Sequence, residues 1–151
     1  MRSYLRIPPG WLESLSGAGV RPGTTAQGLV FRADRQLGDE WEDVMGEMTE
    51  AFLLTREAAR AGSPVVYVVD SADLLGRRGA GRAMVATGLL SAVRDLAQET
   101  VRAGIPANVL ATDHHTDPET VATWIARLLS HPGTTGELIR LGSTHLARAL
   151  P

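Results

Sequence analysis

Residues 65–99 read VVYVVDSADLLGRRGAGRAMVATGLLSAVRDLAQE. Val65 to Val69 is a run of valines interrupted only by Tyr67, bounded by Pro64 and Asp70. A short β-branched run with no polar alternation suits a strand buried on both faces of a parallel sheet. The glycine-rich turn Gly76 to Gly81 follows. A helical pattern then runs from Ala80 to about Arg102, with Met84, Val85, Leu89, Leu90, Ala92, Val93, Leu96 and Ala97 spread around nearly every side. A helix that is apolar all round is covered on more than one side. One side faces its own sheet, and the other is expected to need another helix or another subunit.

The surroundings repeat this alternation. Leu29-Val30-Phe31 reads as a short strand. Asp39 to Arg60 is a clear amphipathic helix, with Trp41, Val44, Met45, Met48, Phe52 and Thr55 at spacings of three and four. Its acidic start and Arg56 and Arg60 near its end suit the helix dipole. Ala107 to Ala111 is a second buried strand. Asp117 followed by Pro118 marks the start of a last helix, with Val121, Trp124, Ile125, Leu128 and Leu129 on one face. Leu138 to Leu141 is a last strand, and Ser143 to Pro151 a tail whose Leu146 and Leu150 are candidates to tuck against a partner. Strands alternating with helices predict an α/β, three-layer, truncated Rossmann-like fold. Its sheet should be mainly parallel, with four or five strands and helices on both faces.

The first 27 residues depart from this pattern. Tyr4 to Ile7 alternates weakly as a short strand, Pro8-Pro9-Gly10 breaks it, and Trp11 to Leu15 offers a turn or two of helix with Pro9 near its start. Gly17 to Gln27 reads as loop. Gly17-Ala18-Gly19 lacks a third glycine at the spacing of a phosphate loop. The strand at Leu29 would otherwise be an open sheet edge, which proteins usually cover. Either Ser3 to Ile7 pairs beside it, or Trp11 and Leu12 cap it.

Composition excludes several classes. The chain has 151 residues, 44% hydrophobic, which suits a single domain over 1–151 with an atypical segment at 1–27. Its net charge of −2 gives no field for nucleic acid or anionic membrane. No apolar run reaches the length of a membrane span. There is no cysteine, hence no disulfide and no thiolate chemistry, which fits a cytoplasmic protein.

The ordered series of elements from Gly28 to Leu141 resembles the C-terminal half of the short-chain dehydrogenase/reductase family. Leu37 to Trp41 and Ala51 to Arg56 resemble its central helix, and Gly104-Ile105-Pro106-Ala107-Asn108-Val109 the strand after its catalytic helix. Thr116 to Ala122 and Thr135 to Ile139 resemble its last helix and strand. The resemblance places the family's catalytic tyrosine at Arg82, its lysine at Ala86, its helix asparagine at Glu47, and its serine at Asp70 or, one residue displaced, Ser71. All 15 basic residues are arginine, so no alternative alignment supplies the tyrosine–lysine pair. A guanidinium, whose pKa stays above about 12, cannot take the tyrosine's place in proton transfer. The glycine turn that holds the cofactor diphosphate is absent too, so no cofactor is expected. The chemistry the resemblance implies is missing, and the expectation is a non-catalytic pseudoenzyme.

Other residues allow other readings. Gly76 to Arg82 is a candidate anion site at a helix N-terminus, against a plain solvated loop. Asp113, His114 and His115 are weak metal candidates, since adjacent side chains point apart and no third ligand is fixed nearby. Asp70 and Arg82 are candidates for an ion pair across the turn. In the family, the helices at Asp39 to Arg60 and Ala80 to Arg102 pair with their copies as a four-helix bundle. The resemblance therefore implies an interface of Trp41, Met45, Met48, Phe52, Gly88, Leu89 and Ala92. The partner is then a second copy, in a dimer or tetramer, or a full-length reductase. Two alternatives stand beside this reading: an NAD(P)-dependent oxidoreductase with an atypical site, and a small-molecule or metal-binding protein using Asp70, Arg82 and His114.

Overall fold

The computed structural model describes residues 5–6, 9–19 and 28–142. Five strands form one parallel sheet in the order β1-β2-β3-β4-β5, so sequence order is spatial order. The strands are β1 (Leu5–Arg6), β2 (Leu29–Arg32), β3 (Val65–Asp70), β4 (Ala107–Thr112) and β5 (Leu138–Arg140). The helices are α1 (Pro9–Gly17), α2 (Trp41–Arg60), the single turn α3 (Ser71–Leu74), α4 (Ala80–Thr100) and α5 (Pro118–Ser130). A 3₁₀ turn, Val101–Ala103, closes α4. This is the three-layer parallel α/β architecture that the alternating pattern predicts.

The alternation of side chains along each strand divides the core in two. Leu29, Phe31, Val65, Tyr67, Val69, Val109 and Ala111 meet Val44, Ala51, Val85, Ala86, Leu89 and Val93 of α2 and α4. Val30, Val66, Val68 and Leu110 point the other way, onto Leu15 of α1 and Val121, Ile125 and Leu128 of α5. Every residue of β3 and β4 is buried, which explains their lack of polar alternation. Asp117 caps α5 through the Thr120 N–H, with Pro118 in the first turn, as the sequence indicates.

The N-terminal segment covers the open edge. β1 pairs in parallel with β2, placing Leu5 beside Val30 and Arg6 beside Phe31. α1 packs on α5, and the Trp11 ring lies 4.1 Å beneath the guanidinium of Arg32. The expected loop at 20–27 and the tail with Leu146 and Leu150 fall outside the described residues.

One expectation needs correction. α4 is not apolar on nearly every side. Thr87, Ser91, Arg94, Asp95, Gln98 and Glu99 form an ordinary exposed face, while Val85, Ala86, Leu89, Val93, Leu96 and Ala97 are buried. Its many alanines and glycines blur the pattern without widening the buried stripe.

The hydroxyl of Tyr67, buried in β3, hydrogen-bonds Thr55 of α2. Burial raises its pKa above the ordinary 10.0, and the bond to Thr55 only partly offsets this. A raised acid pKa means the unfolded chain ionises first. The neutral phenol's contribution is therefore intact below pH 10 and is lost as pH climbs from there towards the folded value. With no lysine in the chain, few other groups titrate in this window. Tyr67→Phe should flatten the alkaline fall in stability above about pH 10, read from urea midpoints between neutral and alkaline pH. An unchanged fall would place its origin elsewhere.

Candidate functional site

Ligand sites in open parallel sheets lie beyond the carboxyl ends of the strands. Here that edge carries Arg32 at the end of β2 with Asp34 and Arg35 beyond it, Asp70 at the end of β3 with Ser71 beyond it, and Thr112 at the end of β4 with Asp113 beyond it.

Asp70 is buried and fully engaged. Its Oδ1 accepts the Ala72 N–H at 2.9 Å, capping α3. Its Oδ2 accepts from Arg35 at 3.0 Å and Arg78 at 3.1 Å. Arg78 also grips Asp73 with two bonds, 2.9 and 2.6 Å, and this pairing holds its pKa above the ordinary arginine value. The expected partner, Arg82, is not there. Its Nε donates instead to the carbonyl of Leu37 at 2.8 Å. Arg35 and Asp73 thus stand at this edge although sequence spacing did not single them out, and Arg78, within the 76–82 turn, pairs with Asp70 and Asp73.

Glu47 is buried, and its Oε1 accepts the Asp34 N–H at 2.8 Å, fixing the connection from β2 to α2. Ala86 lies in the core against the sheet and offers no polar atom. Ser71 is buried, and its Oγ has no hydrogen-bond partner among the described residues. The four positions that the family resemblance aligns with its proton relay therefore hold Glu47 bound to backbone, Arg82 bound to backbone, Ala86, and, at the serine position, Asp70 paired with arginines or the buried hydroxyl of Ser71.

The N-terminus of α4 has an anion already. The Asp39 carboxylate, from the loop before α2, accepts the Gly81 N–H at 2.9 Å. A Cβ on Gly79, where φ is 113°, would fall 2.6 Å from that carboxylate, and one on Gly81 would fall 2.8 Å from the Gly38 carbonyl. The two glycines let the loop close on the helix. Of the two readings of 76–82, the anion site finds its helix N-terminus already served by a carboxylate of the same chain.

Asp113 serves its own loop. Its Oδ1 accepts from the His115 N–H and the Thr116 hydroxyl, both at 2.9 Å. The exposed rings of His114 and His115 lie with centroids 3.7 Å apart, tilted by 41°. Among the described residues no group of three or more His, Asp or Glu side chains is arranged to hold a metal.

The outer face of α2 and α4 is the other candidate. Trp41 is 60% exposed, Met45 43% and Phe52 62%, joined by Met84 of α4 at 51%. Gly88 admits the Met48 side chain, whose terminal carbon would lie 2.9 Å from an added Cβ. Phe52, Thr55, Arg56, Ala59, Ala92 and Asp95 line a groove between the C-terminal halves of the two helices. Leu89 does not belong to this face. It is 1% exposed and turned into the subunit's own core.

No family model matches the chain, and no curated protein matches it. Solved structures do. 3-Hydroxyacyl-CoA dehydrogenase type-2 from Mycobacterium avium aligns at 18% identity and TM-score 0.53, covering 75% of this chain and 64% of its own. A short-chain dehydrogenase/reductase, glucose/ribitol dehydrogenase, from Brucella melitensis aligns at 19% identity and TM-score 0.65, covering 87% and 68%. The TT0495 protein from Thermus thermophilus aligns at 22% identity and TM-score 0.63, covering 79% and 69%. The chain thus spans 64% of the length of the first of these structures. The likeness to short-chain dehydrogenase/reductase structures is one of fold. At these identities it does not carry their activity.

The closure of the loop on α4 has a direct test. Gly81→Ala places a methyl against backbone in a buried contact and should cost about 1–3 kcal/mol. Gly46→Ala, in open space within α2, should stabilise by up to about 1 kcal/mol through helix propensity. Urea denaturation of both variants reads the contrast. Equal stabilities would show that the contact is slack.

Proposed function

We propose that this chain is a non-catalytic protein of short-chain dehydrogenase-like fold that acts through assembly, using the outer face of α2 and α4. The observation that carries this reading is the exposure of Trp41, Met45, Phe52 and Met84 on two adjacent helices. Large apolar side chains grouped on one surface mark interaction sites. Leaving them in water forgoes about 1.5–3 kcal/mol per fully buried side chain. The partner is a second copy, in a two-fold dimer or a tetramer, or a full-length reductase that presents the same pair of helices. Arg82, bound to the Leu37 carbonyl, and Ala86, where the resemblance would have a tyrosine and a lysine, support the non-catalytic half of the reading. The competing reading, an NAD(P)-dependent oxidoreductase with an atypical site, draws support only from the fold.

Light scattering at micromolar concentration should give a mass of at least two chains. Phe52→Glu, at a position already largely exposed, should leave the fold intact and shift the mass to one chain. A wild-type mass of one chain in the purified protein, with no reductase bound on co-expression, would contradict the assembly reading. Fluorescence titration with NADH and NADPH should give no saturable binding. Micromolar affinity for either would overturn the non-catalytic reading and favour the oxidoreductase.

A further inference from the structure

The arginines above β2 and β3 are not equally served. Arg35 and Arg78 share Asp70, and Arg78 also holds Asp73. The Asp34 carboxylate turns onto its own loop and accepts the Gln36 N–H at 2.8 Å. The side chain of Arg32, the last residue of β2, has no hydrogen bond and no ion pair among the described residues, and its guanidinium rests 4.1 Å over the Trp11 ring. The aromatic face orients the fork and favours its charge, yet satisfies none of its N–H donors. Burial lowers the Arg32 pKa, and Arg35 and Arg78 lower it further, against the carboxylates of Asp70 and Asp34, which raise it. The group nevertheless stays charged at neutral pH.

The fork of Arg32 meets no carboxylate within bonding distance among the described residues, so its N–H donors are open to an incoming oxyanion. Its location is the place where an open parallel sheet receives ligands. β1 leads to α1 on one face of the sheet and β2 leads to α2 on the other, so the chain parts between their carboxyl ends. We propose that this crevice binds the oxyanion of a small molecule, a phosphate or a carboxylate, on the guanidinium groups of Arg32 and Arg35. Asp70 acts as a positioning residue: it takes one amino group of Arg35 and leaves the rest of a side chain that is 39% exposed. Planar forks of this kind match the paired oxygens of either anion. The site is separate from the outer face of α2 and α4 and stands or falls independently of it.

Isothermal titration calorimetry with inorganic phosphate, and separately with malonate, tests the proposal at ionic strength held constant with sodium chloride. Saturable binding of at least one anion is expected, and which one binds distinguishes the phosphate source from the carboxylate source. Arg32→Gln should weaken that binding about tenfold or more. Arg127→Gln on α5, whose guanidinium lies over Trp124, should not. Circular dichroism checks each fold, and Arg35→Gln carries the same expectation should Arg32→Gln fail to fold. Absence of saturable binding by both anions up to millimolar concentration would overturn the proposal. So would binding that survives the substitution of Arg32 or Arg35, or falls equally in Arg127→Gln.

Discussion

The contact between the loop before α2 and the first turn of α4 decides what this fold can do. Asp39 supplies the negative charge that a helix N-terminus attracts. Arg82 returns a hydrogen bond to Leu37 from the same turn. The glycines at 79 and 81 make the approach possible, because any side chain there would meet the Asp39 carboxylate or the Gly38 carbonyl. One consequence is chemical. The helix start that resembles a catalytic position is closed by the chain's own carboxylate and by a guanidinium committed to backbone. The second consequence is geometric. The contact locks α4 against α2, and the pair presents a shared outer face carrying Trp41, Met45, Phe52 and Met84.

The sheet obeys a related constraint. A parallel sheet with both faces covered still has edges, and β2 would be one of them without the N-terminal segment. Two residues of β1 and the short helix α1 provide the cover, with Leu15 fully buried in the α5 side of the core. The same arrangement brings Trp11 beneath Arg32. The segment that protects the edge therefore also shapes the crevice at the carboxyl ends of β1 and β2.

Much of this was legible in the residues. The valine run at 65–69, the stripe from Trp41 to Thr55 and the Asp117-Pro118 start each announce their element, because burial on two faces, burial on one stripe and helix capping are local matters. What was not legible depends on contacts distant in sequence. Asp70 finds Arg35 across a strand order that no spacing reveals, and Asp39 reaches Gly81 from another element 42 residues away. Leu89 was misplaced for a different reason. In a helix rich in alanine and glycine, the apolar residues do not define one stripe, and Leu89 lies about 100° around from Gly88. It follows Val85 and Val93 into the core, while Met84 takes the outer position. Fold likeness to known dehydrogenases adds the architecture and, at under 25% identity, no chemistry.

The central claim is that α2 and α4 work as a covered face rather than as walls of an active site. Methionine oxidation reads that cover directly, because an exposed thioether oxidises far more readily than one shielded from solvent. Brief peroxide treatment at micromolar protein concentration, followed by peptide mass spectrometry, compares Met45 and Met84 with the same residues in Phe52→Glu. The account predicts that both are protected in the wild type and oxidised in the variant. Equal, rapid oxidation of Met45 and Met84 in both proteins would show that the face stands open to water, and would contradict it.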